Sequence, residues 1–120
     1  MTQDGLSPRG PVPEGAPAEF AQSLDEVRAR IDQLDAQMLA LMAQRAGWVR
    51  QAARFKRSVA EVPAPQRVAQ VVARVRAQAQ ALGLSPEVAE ATWRAMIGAF
   101  IEEEARLVAH RTATSTTESP

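Results

Sequence analysis

The sequence predicts an all-α fold, one small domain of three helices with a long first helix. Composition gives the first reason. Of the 120 residues 46% are apolar but only 4% aromatic, and Ala, Val, Leu, Gln, Arg and Glu dominate, which favours helices over strands. Spacing gives the second reason, because apolar residues recur at alternating steps of three and four. The third is the placement of Pro and Gly, which divide this pattern into three stretches.

Both ends of the chain are expected to lie outside the helical domain. Residues 1–21 are so rich in Gly and Pro that they predict a flexible extension. Residues 111–120, with the sequence RTATSTTESP, predict a disordered tail. The domain itself is therefore expected over residues 22–110, long enough for one hydrophobic core.

The first helix is expected to begin at a capping box, in which Ser23 precedes Glu26 by three residues. From there a heptad-like stripe continues to about Arg57, which predicts a helix of about 50 Å. Its members are Leu24, Val27, Ile31, Leu34, Met38, Leu41, Arg45, Trp48, Ala52 and Phe55. Such a helix is too long for a compact monomer, so we expect it to pair with a helix of another chain or of its own.

Local signals also mark the second and third helices. Pro65 is expected as the first residue of the second helix, and Gly83 as its C-cap. Ser85 as N-cap and Pro86 at the first helical position then open a third helix, which should end near His110. The second helix carries its apolar residues at Val68, Val71, Val72, Val75, Ala79 and Leu82.

Charge and composition exclude several classes of function. The formal net charge is +0 at pH 7, so no overall field draws the chain to nucleic acid or to an anionic membrane. No cysteine is present and His110 is the single histidine, which leaves no nucleophilic thiol and no metal cluster. Without an apolar run long enough for a signal peptide or a membrane span, a soluble cytoplasmic protein is expected.

Two charged residues occupy apolar positions of this pattern. Arg45 interrupts the stripe of the first helix, and its side chain either bends to the surface or pairs with an anion. Glu104 occupies the apolar spacing of the third helix that Trp93, Ile97 and Val108 share. The alternative for Glu104 is a solvated acidic patch formed with its two acidic neighbours.

The spacing of the cations limits how they can act together. Arg28 and Arg45 would lie about 25 Å apart along one helix, so one small ligand cannot touch both. Two antiparallel first helices that cross near residues 36 and 37 would bring Arg28 of one chain beside Arg45 of the other, in a homodimer with two equivalent sites. Lys56 shares a face with Arg45 but lies about 16 Å away. Arg67, in the first turn of the second helix, is either exposed or balanced by a bound anion.

These residues together resemble the all-helical AroQ class of chorismate mutases, which includes the related isochorismate-pyruvate lyases. The resemblance covers about residues 22 to 109. It rests on SLDEVRARIDQLD with Arg28, LMAQR with Arg45, ARFKRS with Lys56 and PAPQRV with Arg67.

The resemblance implies an intertwined antiparallel homodimer that uses no metal or organic cofactor and binds a small dicarboxylate, chorismate or isochorismate. Arg28 of one chain and Arg45 of the other would hold the carboxylates, with Arg67 nearby. Lys56 matches the family's ammonium donor to the breaking ether oxygen. Glu104 matches the second donor, which is a glutamine in many members and can donate as a glutamate only when protonated.

Two departures bear on which reaction is expected. Mutases commonly place an acid one residue after the arginine equivalent to Arg67, where this chain has Val68. The preceding PAP turn and the RFK-x-S segment also resemble the lyases, whereas Glu104 is more like the mutases. We therefore expect a chorismate mutase that forms prephenate. The alternatives are an isochorismate-pyruvate lyase that forms salicylate and pyruvate, and a non-catalytic helical dimerisation module.

Overall fold

The computed structural model describes residues 20–62 and 64–118, with side chains up to residue 113. This part of the chain forms three α-helices and one short 3-10 turn. Helix α1 spans Leu24–Ala53, α2 spans Pro65–Leu82 and α3 spans Pro86–Glu118, and the 3-10 turn at Val59–Glu61 lies between α1 and α2. No strand occurs in this part of the chain, so the predicted all-α fold of three helices is confirmed. The flexible extension predicted for residues 1–21 lies outside the described residues, except for its last two.

Most helix ends lie where local sequence predicts them. The backbone amide of Glu26 donates to Ser23 Oγ at 3.1 Å, as expected of the N-cap of α1. At the start of α3 the amide of Val88 donates in the same way to Ser85 Oγ at 3.2 Å. Gly83 ends α2 with φ of 77°, in the left-handed region that glycine enters without steric cost.

The end of α1 differs from the prediction. The helix stops at Ala53 rather than near Arg57, so Lys56 belongs to the connection that follows it. There the amide of Lys56 donates to the carbonyl of Ala53 at 3.1 Å, and this bond spans three residues instead of the four of an α-helix. This tightening turns the chain so that Val62 is buried against Ala53 and Val108.

The end of α3 also differs from the prediction. The helix continues past His110 to Glu118, although we expected a disordered tail from residue 111. Arg111, the first residue of this continuation, is anchored to the end of α1, because its guanidinium donates hydrogen bonds to the carbonyl of Ala53 at 3.1 Å and to that of Lys56. A contact between residues more than fifty positions apart leaves no mark in the local sequence.

The described core consists of two clusters that share α3. One joins α2 to α3 through Val71, Val75, Ala79 and Ala89, with Trp93 and Ile97 packed against it. The other joins the end of α1 and its connection to α3 through Ala53, Val62 and Val108, with Ile101 and Ala105 packed against it. Helix α3 thus holds α1 and α2 on either side of its middle, and a cavity lies between the three.

The N-terminal half of α1 is left uncovered within the chain. The stripe residues from Leu24 to Leu41 are between 39% and 62% exposed, although all are large and apolar. An exposed apolar row of this length is unusual for a monomer. The molecule is elongated, with principal extents of 83 × 28 × 15 Å. None of the described helices is both long and apolar enough to cross a membrane.

Candidate active site

The cavity between the three helices has a volume of about 350 Å³. It is bounded by the C-terminal half of α1, the start of α2 and the middle of α3, and its walls are mostly apolar. The charged side chains that line it are those of Arg45, Lys56, Arg67 and Glu104. The volume lies in the range of small-molecule sites. Five residues predicted for the site, these four and Val68, thus meet in one place.

Arg45 has a hydrogen-bonding group that finds no partner in the described residues. Its Nη1 atom is buried without a hydrogen-bond acceptor, and its guanidinium carbon lies 5.8 Å from the centre of the Phe100 ring. Burial, and after it the nearby positive charges of Arg67 and Arg74, hold the pKa of Arg45 below its usual value. The side chain therefore does not simply bend to the surface. A buried donor of this kind is suited to a bound anion.

Lys56 and Glu104 form an ion pair in the lining of the cavity. Lys56 Nζ lies 3.4 Å from Glu104 Oε2, and the Glu104 side chain is only 8% exposed. The solvated acidic patch that we considered for residues 102–104 is therefore wrong for Glu104. Its neighbour Glu103 points elsewhere and pairs with Arg50 at 3.5 Å.

The first turn of α2 contributes Arg67 and Val68. Arg67 is exposed at the mouth of the cavity, and Val68 is half-buried in its wall. Glu104 is the one carboxylate among the lining residues, against three cations. This excess of positive charge, focused by apolar walls, favours an anionic ligand. Within the described residues no group of acidic or histidine side chains is placed to hold a metal ion.

Arg28 is the predicted site residue that the chain does not bring to the cavity. It is exposed near the start of α1, about 25 Å along the helix from Arg45. Within one chain the two guanidinium groups therefore cannot share a ligand. The antiparallel pairing of two chains was predicted from this separation.

Sequence reasoning missed three residues that affect the site. Phe100 lies under Arg45 and also lines the cavity, and it is three residues after Ile97 in the apolar pattern of α3. A search of that pattern at steps of three as well as four would have found it. Arg74, which no positional feature of the sequence marks, adds to the positive field on Arg45. Arg111 acts through backbone carbonyls, which no sequence pattern marks.

Comparison with known proteins identifies the family to which the chain belongs. Residues 27–105, more than half of the chain, match the family described as Chorismate mutase type II. The isochorismate pyruvate lyase of Pseudomonas aeruginosa is 31% identical over 86 residues, which cover 72% of this chain and 85% of that protein. The predicted resemblance to the AroQ class is confirmed, and the chain belongs to the type II chorismate mutase family.

Proposed function

We propose that this enzyme is a chorismate mutase, which converts chorismate to prephenate in the cavity between the three helices. The observation that carries the proposal is the buried, unpartnered Nη1 of Arg45 in a cavity with three cations and one carboxylate. A dicarboxylate of the size of chorismate satisfies that donor and balances the charge. A protein that used α1 only for assembly would have no need of a buried donor facing a cavity.

The reaction is a concerted rearrangement, in which one carbon–oxygen bond breaks as one carbon–carbon bond forms. No proton is transferred and no covalent intermediate with the protein is needed. The protein therefore acts by holding the enolpyruvyl side chain over the ring and by stabilising charge that develops as the bonds change. The fork of Arg45 suits the first task, because it can hold a carboxylate through two parallel hydrogen bonds.

Lys56 and Glu104 suit the second task. Negative charge develops on the ether oxygen as its bond to the ring breaks, and the ammonium of Lys56 donates to it. With substrate bound, Lys56 Nζ and Glu104 Oε2, which lie 3.4 Å apart, would separate to admit the ether oxygen between them. Glu104 can donate a second hydrogen bond to that oxygen only as the carboxylic acid, because a carboxylate only accepts.

Arg28 enters this proposal through a second copy of the chain. The uncovered stripe from Leu24 to Leu41 supports an antiparallel homodimer, because pairing would bury an apolar row that one chain leaves exposed. In such a dimer Arg28 of the partner lies beside Arg45 and grips the second carboxylate. Each cavity would then draw on both chains.

Isochorismate-pyruvate lyase activity is the second candidate, favoured by Val68. This side chain gives the cavity an apolar wall where mutases commonly present an acid to the ring hydroxyl of chorismate. The relative from Pseudomonas aeruginosa carries the lyase name. The two substrates are isomers that differ in the position of this hydroxyl, so one cationic cavity suits both.

Product analysis with both substrates tests the proposal. Purified protein is incubated separately with chorismate and with isochorismate, and prephenate, salicylate and pyruvate are separated and quantified. We expect prephenate from chorismate with the higher kcat/KM. Preferential formation of salicylate and pyruvate would replace the mutase by the lyase. Failure to consume either substrate would favour the non-catalytic dimerisation module.

A further inference from the structure

Arg111 lies on α3 beyond residues 27–105, the segment that matches the family. Its Nη1 donates to the backbone carbonyl of Ala53 at 3.1 Å, and its Nη2 donates to the backbone carbonyl of Lys56. One guanidinium therefore joins the last residue of α1 to the residue that carries the ammonium of the site.

The end of a helix is a favourable place for this contact. The last carbonyls of an α-helix have no partner within the helix, and they form the negative end of its dipole. Arg111 brings a positive charge and one donor to the carbonyl of Ala53, which also accepts from the amide of Lys56, and a second donor to the carbonyl of Lys56 just beyond the helix. Ala53 is buried beneath this contact with Val62 and Val108, so the carbonyls are fixed on a packed surface.

The contact also places Lys56 between two points on one face of α3. Glu104 and Arg111 are seven residues apart, two turns of the helix, and so project to the same side. Glu104 meets the side chain of Lys56 at 3.4 Å, and Arg111 meets its main chain. Because Lys56 lies beyond the end of α1, the helix itself does not fix its position.

We propose that Arg111 is a positioning residue for Lys56, one that holds the main chain of the connection against α3 and thereby aims the ammonium into the cavity. The inference rests on the role proposed above for Lys56. It concerns placement alone, since Arg111 does not line the cavity.

Substitution of Arg111 tests the placement. In Arg111→Ala we expect kcat for chorismate to fall by between about tenfold and a hundredfold with little change in KM, because a displaced donor weakens the transition state more than binding. Arg111→Lys, which retains the charge but not the fork, should recover part of the loss. The matched control is Arg106→Ala, since Arg106 is exposed on the same helix and has no described contact with α1.

Two further measurements separate positioning from general stability. When Lys56→Ala is already present, Arg111→Ala should cause no additional loss of kcat, measured at high enzyme concentration. An equal loss in both backgrounds, or no loss in the wild-type background, would overturn the proposal. Hydrogen exchange of amides 54–62 should be faster in Arg111→Ala than in Arg106→Ala, and unchanged exchange would overturn it as well. Hydrogen exchange needs no turnover, so it tests the placement of the connection even if the protein lacks the proposed mutase activity.

Discussion

At the scale of single residues, Arg45 shows a balance between stability and binding. A buried donor left without an acceptor costs about 1 to 3 kcal/mol, and the charges of Arg67 and Arg74 add to this cost. The face of the Phe100 ring offsets a part of it through a cation–π contact. A bound anion would recover the remainder, so a donor that serves binding costs folding free energy.

This balance predicts opposite effects of one substitution on activity and stability. Arg45→Met keeps an unbranched apolar stem and removes the guanidinium with its buried donor, so we expect kcat/KM to fall by at least about a hundredfold. The melting temperature should rise by a few degrees, because the unpartnered donor and the repulsion are both removed. Activity assays and thermal unfolding at the same pH measure the two effects.

The matched control for this experiment is Arg50→Met, on the same helix. Arg50 is largely exposed and pairs with Glu103, so its substitution should leave turnover unchanged and the melting temperature the same or slightly lower. If Arg45→Met melts below Arg50→Met, the view of Arg45 as an unsatisfied donor is incorrect.

Glu104 predicts how activity responds when its ability to donate a hydrogen bond is changed. In Glu104→Gln the amide is a permanent donor to the ether oxygen, so kcat for chorismate should be retained or should rise. In Glu104→Ala no donor remains, so kcat should fall by about tenfold to a hundredfold. Single-turnover and steady-state rates check this, with circular dichroism to confirm folding. An equal loss of kcat in both variants would defeat the proposed donation.

At the scale of secondary-structure elements, an ion-pair network fastens α2 to α3. Arg76 Nη1 lies 2.8 Å from Glu90 and its Nη2 lies 3.2 Å from Glu87, and Arg94 pairs with Glu90 at 2.6 Å. The hydrogen bonds of Arg94 and then of Arg76 hold the pKa of Glu90 below its usual value. A carboxyl with a lowered pKa in the folded state stabilises the fold above its unfolded pKa, and the effect is lost as pH falls through the folded value.

Glu90→Gln should therefore lower the melting temperature by a few degrees at neutral pH and low salt, and the difference from the wild type should vanish in acid. High salt should reduce the difference as well, because these charges are partly exposed to solvent. Thermal unfolding across pH and salt gives the measurement. Glu102→Gln is the control, since Glu102 is exposed on α3 and has no described partner. A difference that persisted in acid would show that the effect of Glu90 is not ionic.

The elements also show which features a sequence can predict. The starts of α1 and α3 and the end of α2 follow from Ser23, Ser85 and Gly83, because caps act within a few residues. The ends of α1 and α3 could not be predicted in this way. Arg111 contacts Ala53 at the end of α1, and these two residues are far apart in the sequence. The meeting of Arg45, Lys56, Arg67 and Glu104 was predictable from the resemblance, whereas the contact of Arg111 with backbone carbonyls was not.

At the scale of the whole molecule, two separate features point to a second copy of the chain. The apolar stripe of the first helix is uncovered from Leu24 to Leu41, and its members Trp48 and Phe55 farther along are exposed as well. Arg28 is on the uncovered half and away from the cavity that contains Arg45. Antiparallel pairing of two first helices would account for both features, since it buries the stripe and brings Arg28 to the other chain's cavity.

Mixing two inactive variants tests this shared site directly. Arg28→Ala and Arg45→Ala should each lose at least about a hundredfold in kcat/KM. After denaturation and joint refolding in equal amounts, half of the dimers contain one chain of each kind. Such a dimer has one cavity in which both arginines are lost and one in which both are intact. We therefore expect the mixture to recover about one quarter of wild-type activity per chain.

The control mixture combines Arg45→Ala with Lys56→Ala, refolded in the same way. Arg45 and Lys56 line the same cavity within one chain, so every cavity of a mixed dimer lacks one of them and no activity should return. Recovery in this control would mean that Lys56 acts across the dimer rather than beside Arg45. Failure of the first mixture, with mixed dimers verified by mass spectrometry of the intact assembly, would show that Arg28 and Arg45 do not act on one substrate from two chains.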